Sequence, residues 1–255
     1  MFVQQKVGVA ELQTLMQKAA SSVCGVVVHH TYRPSAETWN GKASLLNIQA
    51  HYRNAYGWTA GPHIFAAPDG IWISTPLSTP GIHAAQGNGW GGKHTIGVEV
   101  VHDGTRYPFG QGSAEAHTAW EWGRFACAVV LYALGVRDVP APKAFSVYSE
   151  HRNYNKPACP GSANPTAHVR AGVQSALRDV YRQRAGGAWD MWGTQYPLSD
   201  EAKTYAIPQS WLPVADRLGA AVTGEIHSEK GAYQGFERGV ILWSKASGIT
   251  EVVEI

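Results

Sequence analysis

Gly25-Val-Val-Val-His29-His30 is the stretch whose reading decides the fold. Three successive valines with no polar residue between them are the pattern of a strand covered on both faces, as the central strands of parallel and mixed sheets are. The strand ends in two histidines. Neighbouring strand side chains point to opposite faces, so His29 and His30 cannot both address one site from a regular strand; where one is a ligand, the other is its neighbour.

Upstream, Leu12, Leu15, Met16 and Ala19 recur at helical spacing and predict a short amphipathic helix over residues 7–20. Downstream, Leu45, Ile48, Tyr52 and Ala55 predict a second helix from near Ser44 to Gly57. Gly61-Pro-His-Ile-Phe-Ala-Ala, Pro68-Asp-Gly70 and Ile71-Trp-Ile-Ser read as strand, tight turn and strand. Ile96-Gly-Val-Glu-Val-Val101 is a further strand. Ser113 then caps a long helix with the stripe Ala116, Trp120, Gly123, Cys127, Val130 and Leu134, closed by Gly135. Asn164-Pro165 opens a last helix, carrying Val169, Val173, Ala176, Leu177 and Val180, which stops at Gly186-Gly187. Strands with helices to either side predict an α/β fold, a central mixed β-sheet flanked by helices, up to about residue 185.

From Ala188 the composition shifts toward glycine and tryptophan, with Trp189, Trp192, Trp211 and Trp243 and the phrase Gln234-Gly-Phe-Glu-Arg-Gly-Val-Ile-Leu-Trp243. The expected organisation is a domain over 1–185 and a small module over 186–255.

Of the 255 residues, 44% are apolar and 16% charged, below the roughly 25% charged of ordinary soluble domains, which excludes disorder and a solvated charged rod. Lysine and arginine total 21 against 19 acidic residues, a net +2; so weak a field does not select nucleic acid. The longest apolar stretch, Ala126 to Val136, falls short of the roughly 20 residues that cross a bilayer, so no membrane insertion is expected. The opening Met-Phe-Val-Gln-Gln-Lys shows no secretion signal, and the expectation is accumulation in the cytoplasm, or secretion if a signal has been trimmed. Cys24, Cys127 and Cys159 are too few for a disulfide framework, and at least one is free or a ligand.

The residues that could carry chemistry are dispersed. His29 or His30 ends a strand, while His151 and Cys159 share an irregular loop. Imidazole and thiolate are the donors Zn2+ prefers, and three such ligands leave the open position of a catalytic site. Their separation is not that of a zinc finger, and the alternative is that His151 caps the loop while Cys159 is merely buried. Glu99 sits between Val98 and Val100 in an apolar strand, where an ionised carboxylate is costly unless paired or placed at a cavity. It is either a general base for zinc-activated water or a carboxylate that faces solvent or pairs with an arginine. Cys127 and Cys24 read as packing residues. His51, His94, His102, His117, His168 and His227 show no partner pattern and read as surface or locally hydrogen-bonded.

These pieces together resemble the zinc-dependent N-acetylmuramoyl-L-alanine amidases of type 2, which share a fold with peptidoglycan recognition proteins and phage lysozyme-amidases. The resemblance spans roughly Val26 to Leu177. It rests on Val27-Val-His29-His30-Thr, Gly61-Pro-His63-Ile-Phe with the Asp69-Gly70 turn, Ile82-His83-Ala84, Ile96-Gly-Val-Glu99, and His151-Arg-Asn with Cys159-Pro-Gly161. It implies Zn2+ held by His29, His151 and Cys159, with His83 and His30 beside the substrate and His63 structural. Some family members carry a tyrosine where this chain has Pro62; members without it resemble this chain in a strand glutamate at the position of Glu99, which implies Glu99 as catalytic base. Many relatives carry Lys or Thr two residues before the last ligand, where this chain has Pro157 with Lys156 one position earlier. The implied role of Lys156, or of a main-chain amide beside it, is to stabilise the oxyanion.

The implied activity is hydrolysis of the amide between N-acetylmuramic acid and the L-alanine of the peptidoglycan stem peptide, as in a phage-type endolysin, with no obligate protein partner. Two other readings are a recognition protein that holds muropeptide without cutting it and a zinc peptidase acting within the stem. The tail resembles, more weakly, LGFP-type repeats of bacterial envelope proteins. Its aromatics suit stacking on sugars and suit equally the filling of a small β core.

Overall fold

Val26, Val27 and Val28 are each fully buried in the computed structural model, which describes residues 1–186 and four strands between 226 and 254. The chain divides into two compact units, Met1–Val180 and Tyr181–Ile255.

The first unit contains β1 (Gln5–Val7), α1 (Val9–Ala19), β2 (Val23–His30), α2 (Gly41–Tyr56), β3 (Ile64–Ala67), β4 (Gly70–Ile73), β5 (Gly89–Trp90), β6 (Lys93–Val100), α3 (Ala114–Ala133) and β7 (Tyr148–Glu150). It also holds most of α4 (Thr166–Gly186). The strands form a seven-stranded mixed sheet in the order β1-β4-β3-β6-β2-β7, with β5 paired to β6. β2 pairs in parallel with β6 on one side and β7 on the other, which is why its valine run carries no polar alternation. β3 and β4 form the expected antiparallel hairpin, and β3 joins β6 in parallel.

Register sets the two faces. Val27 is opposite Gly97 and His29 opposite Glu99, so these four positions share one face. Val28 and His30, opposite Val98 and Val100, belong to the other. There α3 packs so closely that a methyl at Gly123 would come within 2.6 Å of Val100 Cγ2. α1 and α4 pack outside α3: α1 contacts it directly, and Gly172 of α4 leaves room for the Trp120 ring, 2.5 Å from where a Cβ would stand. On the first face α2 contributes Leu45 to a buried group with Phe65, Ala67, Trp72 and Val101, against which Trp39, Ile48 and Tyr52 also pack. Full burial of Leu45, Phe65 and Val101 contributes about 1.5–3 kcal/mol each. The α/β architecture read from the sequence, a mixed sheet with helices on both sides, is the one observed.

Local signals mostly hold. The Ser113 hydroxyl accepts the Ala116 N–H at 3.1 Å and so caps α3. Gly57 ends α2 with φ +67 and returns its N–H to Arg53 O, the left-handed stop that glycine adopts without strain. The start of α2 differs from the expectation: the helix begins at Gly41, and the Ser44 hydroxyl, inside the first turn, accepts the N–H of Asn40 at 2.9 Å. Asn164 does not spend its side chain on α4; its amide reaches Pro160 O and accepts the N–H of Phe109.

In the second unit β8 (Ile226–Ser228), β9 (Gly231–Phe236), β10 (Gly239–Ser244) and β11 (Thr250–Glu254) form an antiparallel sheet in the order β11-β10-β9-β8. β9 and β10 form a hairpin with Phe236 opposite Gly239. Trp243 lies on β10 opposite Thr250. Trp189, Trp192 and Trp211, to which the sequence reading gave a role in this module, lie outside the described residues.

Candidate metal centre

His29 occupies the end of β2, on the sheet face that α3 does not cover. His151 begins the short 3-10 turn His151–Tyr154 directly after β7, which places it beside His29 because β7 is the parallel neighbour of β2. Cys159 arrives on the loop that follows, its N–H bonded to Lys156 O at 2.9 Å.

Besides the Asn164 amide on Pro160 O, Arg152 ties that loop down. The Arg152 guanidinium lies 2.7 Å from the fully buried carboxylate of Glu150 and also donates to Asn164 O at 2.7 Å. The Thr166 hydroxyl donates to the same Glu150 carboxylate at 3.3 Å. The strand that leads to His151 and the loop that carries Cys159 are thus fastened through Arg152.

One donor atom from each of His29, His151 and Cys159 lies within 4.8 Å of the others. His29 Nδ1 is 3.0 Å from His151 Nδ1 and 3.8 Å from Cys159 Sγ. Tetrahedral zinc, with Zn–N of about 2.05 Å and Zn–S of about 2.3 Å, requires separations of about 3.3 Å between two nitrogens and about 3.6 Å between nitrogen and sulfur. The two observed distances fall within about 0.3 Å of those, and the nitrogen and sulfur donors match the metal's preference. This group of residues could hold a metal ion.

The surroundings favour neutral imidazoles and penalise lone ions. Burial, then the charges that His151 and His83 would carry, holds His29 well below its ordinary pKa. Burial, then the Lys156 ammonium, brings His151 down to about 4. The Cys159 thiol is pushed up by burial and next by Glu99. Bare imidazole nitrogens are ready donors, whereas a thiol in this position ionises only with a cation beside it.

Glu99, the register partner of His29, is 8% exposed. Its Oε1 lies 3.9 Å from His29 Nδ1, and among the described residues its Oε2 has no hydrogen-bond partner. Burial raises its pKa to about 8. The carboxylate does not face solvent, pairs with no arginine among the described residues, and stands at a cleft. That cleft, of about 550 Å3, is lined by all three candidate ligands and by Glu99, His83 and Lys156.

His83 is brought to the cluster, its Nδ1 3.1 Å from His29 Nε2. His30 lines the cleft but its Nδ1 accepts the N–H of Gly104 at 3.0 Å, as the alternation along β2 requires. Lys156 is exposed at the cleft rim, and Pro62 lines the wall without a proton to give. His63 is held internally: it accepts the N–H of Gly97 at Nδ1 and its Nε2 donates to Thr79 O. His94, His102 and His168 bond the carbonyls of Leu77, Tyr107 and Phe109, matching the local roles expected of them. Cys127 is fully buried, as expected of a packing residue, while Cys24 is only half-buried.

Sequence reasoning missed Tyr52 and Trp58, which line the cleft. Tyr52, one of the periodic positions that predict α2, touches the core group of Phe65 and also walls the cleft. It also missed Arg152, whose work depends on a buried carboxylate two residues away.

Residues 218–254 match the LGFP repeat family. No curated protein matches the chain. Among solved structures, wild-type PGRP-LB from Drosophila aligns with a TM-score of 0.43 and 17% identity over 68% of this chain and 85% of that one. PlyL aligns with a TM-score of 0.36 and 15% identity over 68% of this chain and 86% of its own.

Proposed function

We propose that this chain is a zinc-dependent amide hydrolase of peptidoglycan, cutting between N-acetylmuramic acid and the L-alanine of the stem peptide. The observation that carries this reading is the convergence of His29, His151 and Cys159 within 4.8 Å, at a cleft that also presents the Glu99 carboxylate, whose Oε2 has no hydrogen-bond partner among the described residues. The motif resemblance supplies the substrate. The C-terminal LGFP repeat is consistent with a module that holds the chain on the wall.

Zinc held by His29, His151 and Cys159 would supply Lewis acidity to polarise an amide carbonyl and acidify water. Glu99 does the proton work: with a pKa near 8, its carboxylate form accepts the proton of the attacking water and its acid form returns it to the leaving nitrogen. Because Oε2 makes no other hydrogen bond among the described residues, it is available for that transfer. Lys156, exposed where it lines the cleft, brings a positive charge toward the oxygen on which negative charge develops. Tyr52, Phe65 and Trp58 form an apolar wall that orients the substrate and limits water.

Purified chain supplied with zinc is incubated with peptidoglycan and the soluble fragments are weighed by mass spectrometry. The reading requires intact stem peptides with a new L-alanine amino terminus. Shortened peptides point to a peptidase within the stem, and binding without release points to a recognition protein; either result overturns it.

A further inference from the structure

The hydrogen bonds around His83 leave little freedom for where its protons sit. His83 Nε2 faces the carbonyl oxygen of Thr95 at 3.2 Å and the Thr95 hydroxyl at 3.3 Å. A carbonyl only accepts, and that hydroxyl spends its proton on Gly87 O at 2.5 Å. Both groups before Nε2 are therefore acceptors, and Nε2 must carry a hydrogen.

The other nitrogen, His83 Nδ1, is 3.1 Å from His29 Nε2, and one proton is shared between them. Placing it on His83 makes a buried imidazolium with no carboxylate hydrogen-bonded to it among the described residues. Placing it on His29 leaves both rings neutral. The second arrangement avoids an unpaired buried charge. His29 then donates through Nε2, and its lone pair is at Nδ1, the atom that faces His151 and Cys159.

We infer that His83 is a positioning residue that fixes His29 in the Nε2–H form, so that Nδ1 is presented bare to a metal ion. The relay runs from the Thr95 carbonyl through His83 to His29. Gly97 makes it possible: a Cβ there would stand 2.6 Å from the His83 ring, and Gly97 lies two residues before Glu99 on the same face of β6. Only a residue without a side chain lets the ring approach β6 this closely. Orientation of a ligating imidazole through its second nitrogen is worth roughly 10- to 100-fold in metal affinity.

The inference rests on His29 being a ligand but not on which bond the chain hydrolyses, and its test uses no peptidoglycan. Zinc affinity is measured by competition with a chromophoric chelator for the unaltered chain, His83→Leu and His83→Asn. Long-range 15N NMR of the histidine rings reports which nitrogen is protonated, in metal-free and zinc-loaded protein. Expected are Nε2–H on both His29 and His83 in the unaltered chain, an affinity loss of about 10- to 100-fold for His83→Leu, and substantial rescue by His83→Asn, whose Oδ1 takes the place of Nδ1 as acceptor.

An affinity for His83→Leu within about threefold of the parent, against that expected loss, overturns the inference, as does an equal loss in both variants. If the leucine variant does not fold, the NMR of the unaltered chain decides alone: a proton on His29 Nδ1 sinks the relay. Zinc binding without wall turnover defeats the proposed function and leaves the relay standing, so the two failures are distinct.

Discussion

Glu99 and His29 stand directly opposite each other on adjacent parallel strands, with Oε1 3.9 Å from Nδ1. The register of two strands therefore places a carboxylate beside a ligand candidate without any loop having to be ordered. Since burial and not a neighbouring charge raises Glu99 to about 8, replacing it with the isosteric neutral Gln removes the proton acceptor and little else. Glu99→Gln should retain zinc and lose about 10²- to 10⁴-fold in turnover. Metal analysis and wall-clearing rates on one preparation check this, and parental turnover in the variant rules out the base assignment.

The same substitution should act on stability in the opposite direction. Between its ordinary pKa of 4.5 and about 8, Glu99 is ionised in the unfolded chain and protonated in the folded one, so its contribution to stability falls as pH rises through that window. Gln carries no such penalty. Near neutral pH, with chelator present, Glu99→Gln should melt at a higher temperature than the parent. A melting temperature lowered by several degrees would show that the carboxylate has a stabilising partner.

Cys159 connects metal affinity to pH. Burial holds its thiol above the ordinary value, so a metal that binds the thiolate displaces a proton. Zinc affinity should rise by about tenfold per pH unit for each proton released, and the metal-loaded chain should gain about 2.7 kcal/mol at a free zinc concentration of 100 times Kd. Cys159→Ser should lose most of that gain. Titration calorimetry in buffers of different ionisation enthalpy counts the protons, and a count of zero contradicts the thiolate ligand.

Acid should unfold the metal-free chain readily. His29 and His63 lie well below their ordinary pKa, His30 and His151 at about 4 and His83 at about 3, with burial the first cause in each. Each takes up a proton on unfolding once pH drops below about 6.5, which costs about 1.4 kcal/mol per pH unit per group until the folded value is reached. Glu99 and Glu150, both raised, act in the other sense, but two carboxyls oppose five imidazoles. The melting temperature in chelator should therefore fall between about pH 6.5 and about pH 4. A flat profile over that range is inconsistent with five neutral rings, of which His29, His63 and His83 are buried and His30 and His151 half-buried.

What was legible in the sequence divides along physical lines. β2 was readable because its three valines report burial on both faces, a local property. The residue types of the candidate metal cluster were readable too: His151 and Cys159 were weighed as ligands with His29 or His30, although His29 and His151 are 122 positions apart, and the motif resemblance singled out His29. The start of α2 was not, because it falls at Gly41, a poor helix former, while Ser44 offers the usual signature of a cap and uses its hydroxyl within the first turn. Nor was the His83–His29 hydrogen bond: it depends on the missing side chain of Gly97 and on where the Thr95 hydroxyl sends its proton. Both are properties of packing across elements, which no periodicity records.

Arg152 offers a test of how the Cys159 loop is held. Its guanidinium faces the fully buried Glu150 carboxylate and donates to Asn164 O, beyond Cys159 on the same loop. Arg152→Met removes one partner of a buried pair and leaves the other as an uncompensated charge, a loss of about 3–5 kcal/mol. Burial already raises Glu150, so the orphaned carboxylate is expected to stay protonated to higher pH and the loss to be smaller in mild acid. Adding Glu150→Gln to Arg152→Met removes the buried charge and should recover part of the stability, while the loop bond to Asn164 stays lost and zinc affinity stays low. Urea unfolding of the three variants separates the two effects: recovery of both stability and zinc affinity in the double variant would show that the charge, and not the bond from Arg152 to the loop, holds Cys159 in place.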